Sequence, residues 1–200
     1  MISEPALRVA LAVLIVIDLS VPAYFRRRAG VSGSPVARLR EGGLFLPERL
    51  LTIVIYCGLL AYIISPRWMA WSQIPLPSGV RLLGVALAGL ALAWMLWAFH
   101  HLGSNLFGSR AGEHSLVTTG PYRWVRHPMY SGWTALMAGY SVLTCSWFVA
   151  VVALAVVATV ARRTPREEGH LVQQFGEAYR GYAARTGRFL PRLRSSERRR

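Results

Sequence analysis

The sequence predicts an all-α polytopic membrane protein of about five transmembrane helices, the last two paired as a hairpin, with an amphipathic helix following on the cytoplasmic side. Three observations lead there. Of 200 residues 54% are hydrophobic and the mean hydropathy is +0.36, too apolar for a soluble domain of this size. Long stretches carry no charge, and the arginines gather in alternate gaps between them.

The elements follow in order. Val9 to Phe25 contains one charge, Asp18, while Leu50 to Pro66 and Leu82 to Phe99 contain none. With their flanks, each approaches the roughly 20 residues that cross about 30 Å of hydrocarbon. The first run lacks a basic start and a small-residue cleavage site, so it reads as a retained helix and not a signal peptide. Asp18 is then an intramembrane acid near a helix end at Pro22, and a partnered carboxylate and a functional one are equally good readings of it. Met129 to Ala161 is uncharged throughout; as one helix it would run roughly 50 Å, too long for one span. Cys145-Ser146-Trp147 near its middle suits a tight turn between two shorter helices.

Arginine placement sets the expected orientation. Six arginines lie between the first and second runs, two between the second and third, three between the third and fourth, and eleven after the last. The positive-inside rule then puts the C-terminus in the cytoplasm and the N-terminus outside, with Trp68, Trp71 and Trp147 at the outer interface. Beyond Ala161 the chain turns polar, and Leu171, Phe175, Tyr179 and Tyr182 mark one apolar stripe of an amphipathic helix. Residues 192–200 read as a basic tail near anionic lipid. The whole chain, 1–200, reads as one membrane-embedded domain.

All 23 basic residues are arginine, and the net charge is +14. Because they lie between apolar runs instead of among aromatics on a polar face, they suit lipid head groups and carboxylates better than nucleic acid. Cys57 and Cys145 fall in apolar runs without metal-ligand spacing, and His100, His101 and His170 form no metal triad. The arginine-only, alanine-rich composition suits a high-GC bacterium, hence an inner-membrane location.

A hairpin over 129–161 returns both its ends to one face. Arg126-His127-Pro128 then meets Arg163-Thr164-Pro165-Arg166-Glu167-Glu168, and the pair can hold a zwitterion: guanidinium for a carboxylate, glutamate for an ammonium. Pro121 and Pro128 stiffen the loop and Gly120 permits close approach. The same residue types also serve as plain interface anchors and ion pairs, and on the residues alone the two readings stand level.

His114-Ser115-Leu116-Val117-Thr118-Thr119-Gly120-Pro121-Tyr122, then Arg126-His127-Pro128-Met129-Tyr130-Ser131-Gly132, then Glu167-Glu168 and Phe175-Gly176-Glu177-Ala178-Tyr179-Arg180-Gly181-Tyr182, closely resemble the isoprenylcysteine carboxyl methyltransferase and phospholipid methyltransferase group of integral membrane enzymes. The likeness covers a core at 101–191. It implies S-adenosylmethionine as cofactor, bound on the cytoplasmic side, and a lipid-facing entrance for an isoprenoid or lipid-like acceptor. Carried over by the resemblance, His114, Leu116, Val117, Gly120, Tyr122, His127, Pro128, Tyr130 and Glu168 would line the cofactor, with Glu168 on its amino group. Arg163 matches a family arginine at the methyl-transfer end.

Methyl transfer suits these residues, because a sulfonium donor is already activated and alignment and water exclusion are the main tasks. Arg163 or Arg126 would hold an acceptor carboxylate; His127 and the glutamates, Glu167 included, are the candidate bases for an amine or thiol. The alternative is an NADPH-dependent sterol-reductase-like enzyme, which shares the region around Arg126-His127-Pro128. Glu167-Glu168 disfavours it, since carboxylates repel a 2′-phosphate. A non-catalytic membrane scaffold is the third reading.

Overall fold

The computed structural model describes residues 3–28, 46–103 and 115–192. Six α-helices occur among them: α1 (Glu4–Arg28), α2 (Leu46–Ile64), α3 (Ser78–Leu102), α4 (Pro128–Thr144), α5 (Trp147–Phe175) and α6 (Glu177–Arg185), with short 3₁₀ turns at Pro66–Ser72 and Gly120–Arg123. Four of them, Glu4–Phe25 within α1, then α2, α3 and α5, are long and apolar enough to cross a membrane. The fifth long helix, α4, has 17 residues, about 26 Å of rise.

Each helix turns one stripe to the bundle. Leu7, Leu11 and Leu14 are buried on α1, and Asp18 continues the same stripe at spacings of four, three and four. Ile55, Gly58, Leu59 and Tyr62 do the same on α2. Valines, leucines and tryptophans on the opposite faces stay exposed, as expected where lipid is the solvent.

Helices α3 and α4 pack most closely, through small residues. A Cβ on Gly139 would lie 2.7 Å from the Ala88 backbone nitrogen, and one on Gly84 2.5 Å from the Leu143 nitrogen. Only hydrogen at these two positions lets the backbones approach so near, the usual means of joining helices in lipid, where apolar side chains gain nothing by leaving their solvent.

The predicted hairpin forms, and its turn falls at Cys145 and Ser146. Cys145 takes a left-handed conformation with φ 54°, and the Ser146 hydroxyl caps α5 by accepting from Val149 N at 3.3 Å. The turn is tied to the α2–α3 connection: Ile74 N donates to Cys145 O at 2.8 Å, and Ser72 and Ser146 hydroxyls lie 2.9 Å apart. Trp71 meets Trp147 edge to face at 5.5 Å, so these two tryptophans do share one end of the bundle.

Two expectations need correction. Pro22 does not end the first helix, which runs on to Arg28. The polar helix after Ala161 is not separate: α5 continues through it to Phe175 and stops at Gly176, φ 55°. The stripe Leu171, Phe175, Tyr179, Tyr182 therefore crosses a break, and only its last two members are fully buried. With 29 residues, or about 43 Å, α5 carries its last turns beyond the hydrocarbon, which is why its charges begin at Arg162. The basic tail at 193–200 and the arginine-rich segment at 29–45 lie outside the described residues.

Candidate active site

At the far end of the hairpin, α4 begins with Pro128 at its first turn, its carbonyl accepting from Trp94 Nε1 at 2.8 Å. The preceding loop is shaped by Gly120. Its φ is 59°, and an added Cβ would lie 2.3 Å from the His101 ring, so glycine is required on both counts. His101 also has Nδ1 3.1 Å from Thr119 Oγ1, which makes it a prop of this loop.

The C-terminal segment is sewn onto the loop. Arg126 N donates to Gly187 O at 2.8 Å, His127 N to Arg188 O at 3.0 Å and Gly187 N to Trp124 O at 3.1 Å. The Ser131 hydroxyl donates to Phe189 O, and Tyr182 OH to Tyr122 O at 2.7 Å.

Two charged clusters result. In the first, Glu168 Oε1 accepts from Arg126 Nε at 2.9 Å and lies 3.2 Å from His127 Nε2, while Oε2 accepts from Arg188 Nη2 at 2.7 Å. Arg126 further donates to the carbonyls of Ala183 and Thr186 at 3.0 and 2.5 Å, so it also caps the end of α6. Burial pushes the His127 imidazole below its usual pKa, with Glu168 opposing. The hydrogen bonds to Glu168 raise the Arg188 guanidinium further.

In the second cluster, Arg163 Nε lies 2.8 Å from Glu167 Oε1 and Nη1 donates to Glu48 Oε2 at 2.6 Å. Its Nη2 donates to Tyr130 OH at 2.5 Å, and Tyr130 OH donates to Glu167 at 3.1 Å. A parallel stack of the His127 and Tyr130 rings, centroids 5.5 Å apart, joins the two clusters, with the Phe189 ring 5.9 Å from His127.

Two cavities flank this seam. The larger, about 1040 Å³, is lined from all five long helices, mostly by apolar side chains including Phe99, Met129, Trp133 and Val160; Glu48 and Tyr130 stand at one end, and Asp18 and Tyr56 also line it. The smaller, about 270 Å³, lies among Leu116, Val117, Tyr122, Arg126, Phe175 and Tyr179.

The structure thus gathers most of the residues singled out from the sequence. Arg126, His127 and Glu168 touch one another; Tyr130, Arg163 and Glu167 form the neighbouring cluster. Leu116, Val117 and Tyr122 line the smaller cavity, and Gly120 and Pro128 shape the backbone. Arg126 and Arg163 belong to different clusters, and of the two only Arg126 lines one of these cavities, the smaller. His114 lies outside the described residues. Sequence reasoning missed Glu48, Arg188 and Phe189. Glu48 had one signal, an acid just ahead of an uncharged run; the other two lay inside the stretch that carried the resemblance, without a motif of their own.

Residues 80–178 match the family model described as phospholipid methyltransferase. These residues, just under half of the chain, are similar to that family. The chain is 36% identical over 126 residues to mouse protein-S-isoprenylcysteine O-methyltransferase, covering 62% of this chain and 44% of that one. It is 40% identical over 84 residues to the B form from Arabidopsis thaliana, covering 41% and 42%. The chain spans less than half the length of these relatives. The fold resembles a solved structure of a eukaryotic intramembrane Ras methyltransferase, isoprenylcysteine carboxyl methyltransferase, with TM-score 0.52 and 23% identity, over 80% of this chain and 54% of that one. Each of these relatives is a methyltransferase, and the sterol-reductase alternative gains no support from them.

Proposed function

We propose that this chain is an integral membrane methyltransferase that uses S-adenosylmethionine to methylate an apolar acceptor of isoprenoid or lipid-like character. One observation carries the reading: an apolar cavity of about 1040 Å³ that ends on Tyr130 and Glu48, with Tyr130 stacked on His127 of the Glu168 cluster. A cavity of this size and lining suits a hydrocarbon body, and the charges beside it suit a small zwitterion.

The residues present fit the cofactor by the chemistry of their donors. Arg126 and Arg188 offer guanidinium N–H groups to a carboxylate, Glu168 offers its oxygens to an ammonium, and Leu116, Val117 and Tyr122 offer an apolar wall to a purine. Gly120, Pro128 and Tyr130 complete the set, and His114 joins it by the resemblance. Bound there, S-adenosylmethionine supplies a methyl group on a positively charged sulfur, already activated for displacement.

The protein's own tasks are orientation and dryness. Arg163, fixed between Glu48 and Glu167, positions the acceptor head with Tyr130. The apolar walls hold the acceptor's body and exclude water. His127, its pKa lowered by burial, is neutral at pH 7 and can take a proton from an amine or thiol acceptor; a carboxylate acceptor requires none. Arginine counts on the loops support an N-terminus outside and a C-terminus in the cytoplasm.

The test is transfer of labelled methyl from S-adenosylmethionine into a lipid extract by the detergent-purified protein. Label in an extractable apolar product supports the reading; label in no lipid fraction, with bound cofactor demonstrated, sinks it.

A further inference from the structure

Glu168 already holds as many partners as a carboxylate can take. Its oxygens meet Arg126 Nε at 2.9 Å, Arg188 Nη2 at 2.7 Å, Arg188 Nε at 3.2 Å and His127 Nε2 at 3.2 Å. A carboxylate has about four acceptor positions, and these four contacts occupy them. An ammonium reaches Glu168 only where a present partner gives way.

The three partners are held very differently. The Arg126 side chain is 11% exposed, and its Nη1 is tied to the carbonyls of Ala183 and Thr186, so it cannot turn without uncapping α6. His127 is equally withdrawn, and its ring is stacked on Tyr130. The Arg188 side chain is 41% exposed, and among the described residues it makes no hydrogen bond except those to Glu168. Its backbone is fixed, with the Arg188 carbonyl accepting from His127 N at 3.0 Å and the Gly187 carbonyl from Arg126 N at 2.8 Å. Arg188 is therefore a fork free to swing on an anchored stem.

What the fork grips indicates what it takes in exchange. Nε and Nη2 lie along one edge of the guanidinium and meet both oxygens of one carboxylate, the two-bond pairing that any carboxylate can accept. A zwitterion entering between the pair gives its ammonium to Glu168 and its carboxylate to Arg188, so each bond broken is replaced by one of its kind. A cation without a carboxylate displaces Arg188 and leaves it unpaired, which is costly in a partly desolvated site.

We infer that Arg188 is a specificity-determining residue of the cofactor site: its pairing with Glu168 is a clasp that opens to a ligand carrying both charges of an α-amino acid. The inference rests on the Glu168 cluster being the cofactor's amino-acid subsite, as proposed above.

The experiment titrates the purified full-length protein in nonionic detergent with S-adenosylhomocysteine and with the same molecule lacking its carboxylate. The wild type is expected to bind the carboxylate-free ligand at least ten-fold more weakly, a difference of about 1.4 kcal/mol or more. In Arg188→Gln the two ligands should move in opposite directions, S-adenosylhomocysteine weakening about ten-fold and the carboxylate-free ligand tightening by about as much. Arg185→Gln removes a charge from the same segment without touching Glu168, and should alter neither. Acetate in place of chloride at equal ionic strength should tighten the carboxylate-free ligand on the wild type about three-fold, by giving the displaced guanidinium a partner, and have no effect in Arg188→Gln. The acetate measurement on the wild type needs no variant, so the test stays decisive should Arg188→Gln fail to fold. A carboxylate-free ligand that binds Arg188→Gln no better than the wild type, an equal gain in Arg185→Gln, or no acetate effect on the wild type overturns the inference and leaves the cofactor reading standing. No binding of S-adenosylhomocysteine to the wild type overturns both.

Discussion

Arg163 Nη1 lies 2.6 Å from Glu48 Oε2, a salt bridge across 115 positions of sequence in which both side chains are largely withdrawn from solvent. It joins the half of the chain that carries the family's motifs to the half that carries none. The guanidinium is gripped on its other edge by Glu167, so its plane is fixed before any acceptor arrives. Preorganisation of this kind is what an alignment-limited reaction needs.

Arg163→Lys keeps the charge and loses the planar fork. Turnover is expected to fall at least ten-fold while affinity for S-adenosylhomocysteine changes less than two-fold, since the lost alignment belongs to the acceptor end. Arg162→Lys, one position earlier and exposed, should alter neither. Steady-state rates and calorimetric titration of the two variants check this.

Glu48→Gln removes one of the two carboxylates on Arg163 and leaves the fold of α2 intact. Turnover is expected to drop by roughly the factor seen for Arg163→Lys, and the double variant to lose less than the product of the two, because the residues act as one unit. Independent, multiplying effects would show that Glu48 does not work through Arg163.

Glu168→Gln leaves Arg126 and Arg188 without their counter-charge. Loss of a desolvated charge pair of this kind costs about 2–5 kcal/mol, expected here in S-adenosylhomocysteine affinity. Unchanged affinity would reduce Glu168 to a tether between α5 and the C-terminal segment.

His127 gives a pH signature. Burial lowers its folded-state pKa, so below about 6.5 the unfolded chain binds a proton that the folded one does not. Stability contributed by neutral His127 is complete above that pH and is lost as the pH falls toward the lowered folded value. The melting temperature in detergent should fall as the pH drops below about 6.5, and His127→Asn should flatten that part of the profile.

Gly139→Ala would put a methyl group 2.7 Å from the Ala88 nitrogen. Because backbone cannot yield as a side-chain tip can, the α3–α4 pair must part, at about 1–3 kcal/mol. Thermal unfolding should show it, whereas Gly89→Ala, open on every side, should be neutral.

What the sequence made legible was whatever local pattern or length decides. A 33-residue uncharged run cannot cross once, so the hairpin and its turn near Ser146 followed from length alone. The meeting of Arg126 and His127 with Glu168 followed from the hairpin. What stayed hidden depends on register between distant segments. Nothing near Glu48 marks Arg163 as its partner, and nothing near Arg188 marks Glu168. The stripe Leu171, Phe175, Tyr179, Tyr182 read as one helix because apolar spacing is blind to the positive φ at Gly176. Asp18 continues the Leu7, Leu11, Leu14 stripe, so its inward direction was readable even though its partner was not.

The central claim is that the Glu168 cluster holds S-adenosylmethionine. Calorimetric titration of the detergent-purified protein with S-adenosylhomocysteine and, separately, with NADPH tests it most directly. One saturable site for S-adenosylhomocysteine, weakened in Glu168→Gln, and none for NADPH is the predicted result; saturable binding of NADPH with none of S-adenosylhomocysteine would contradict it.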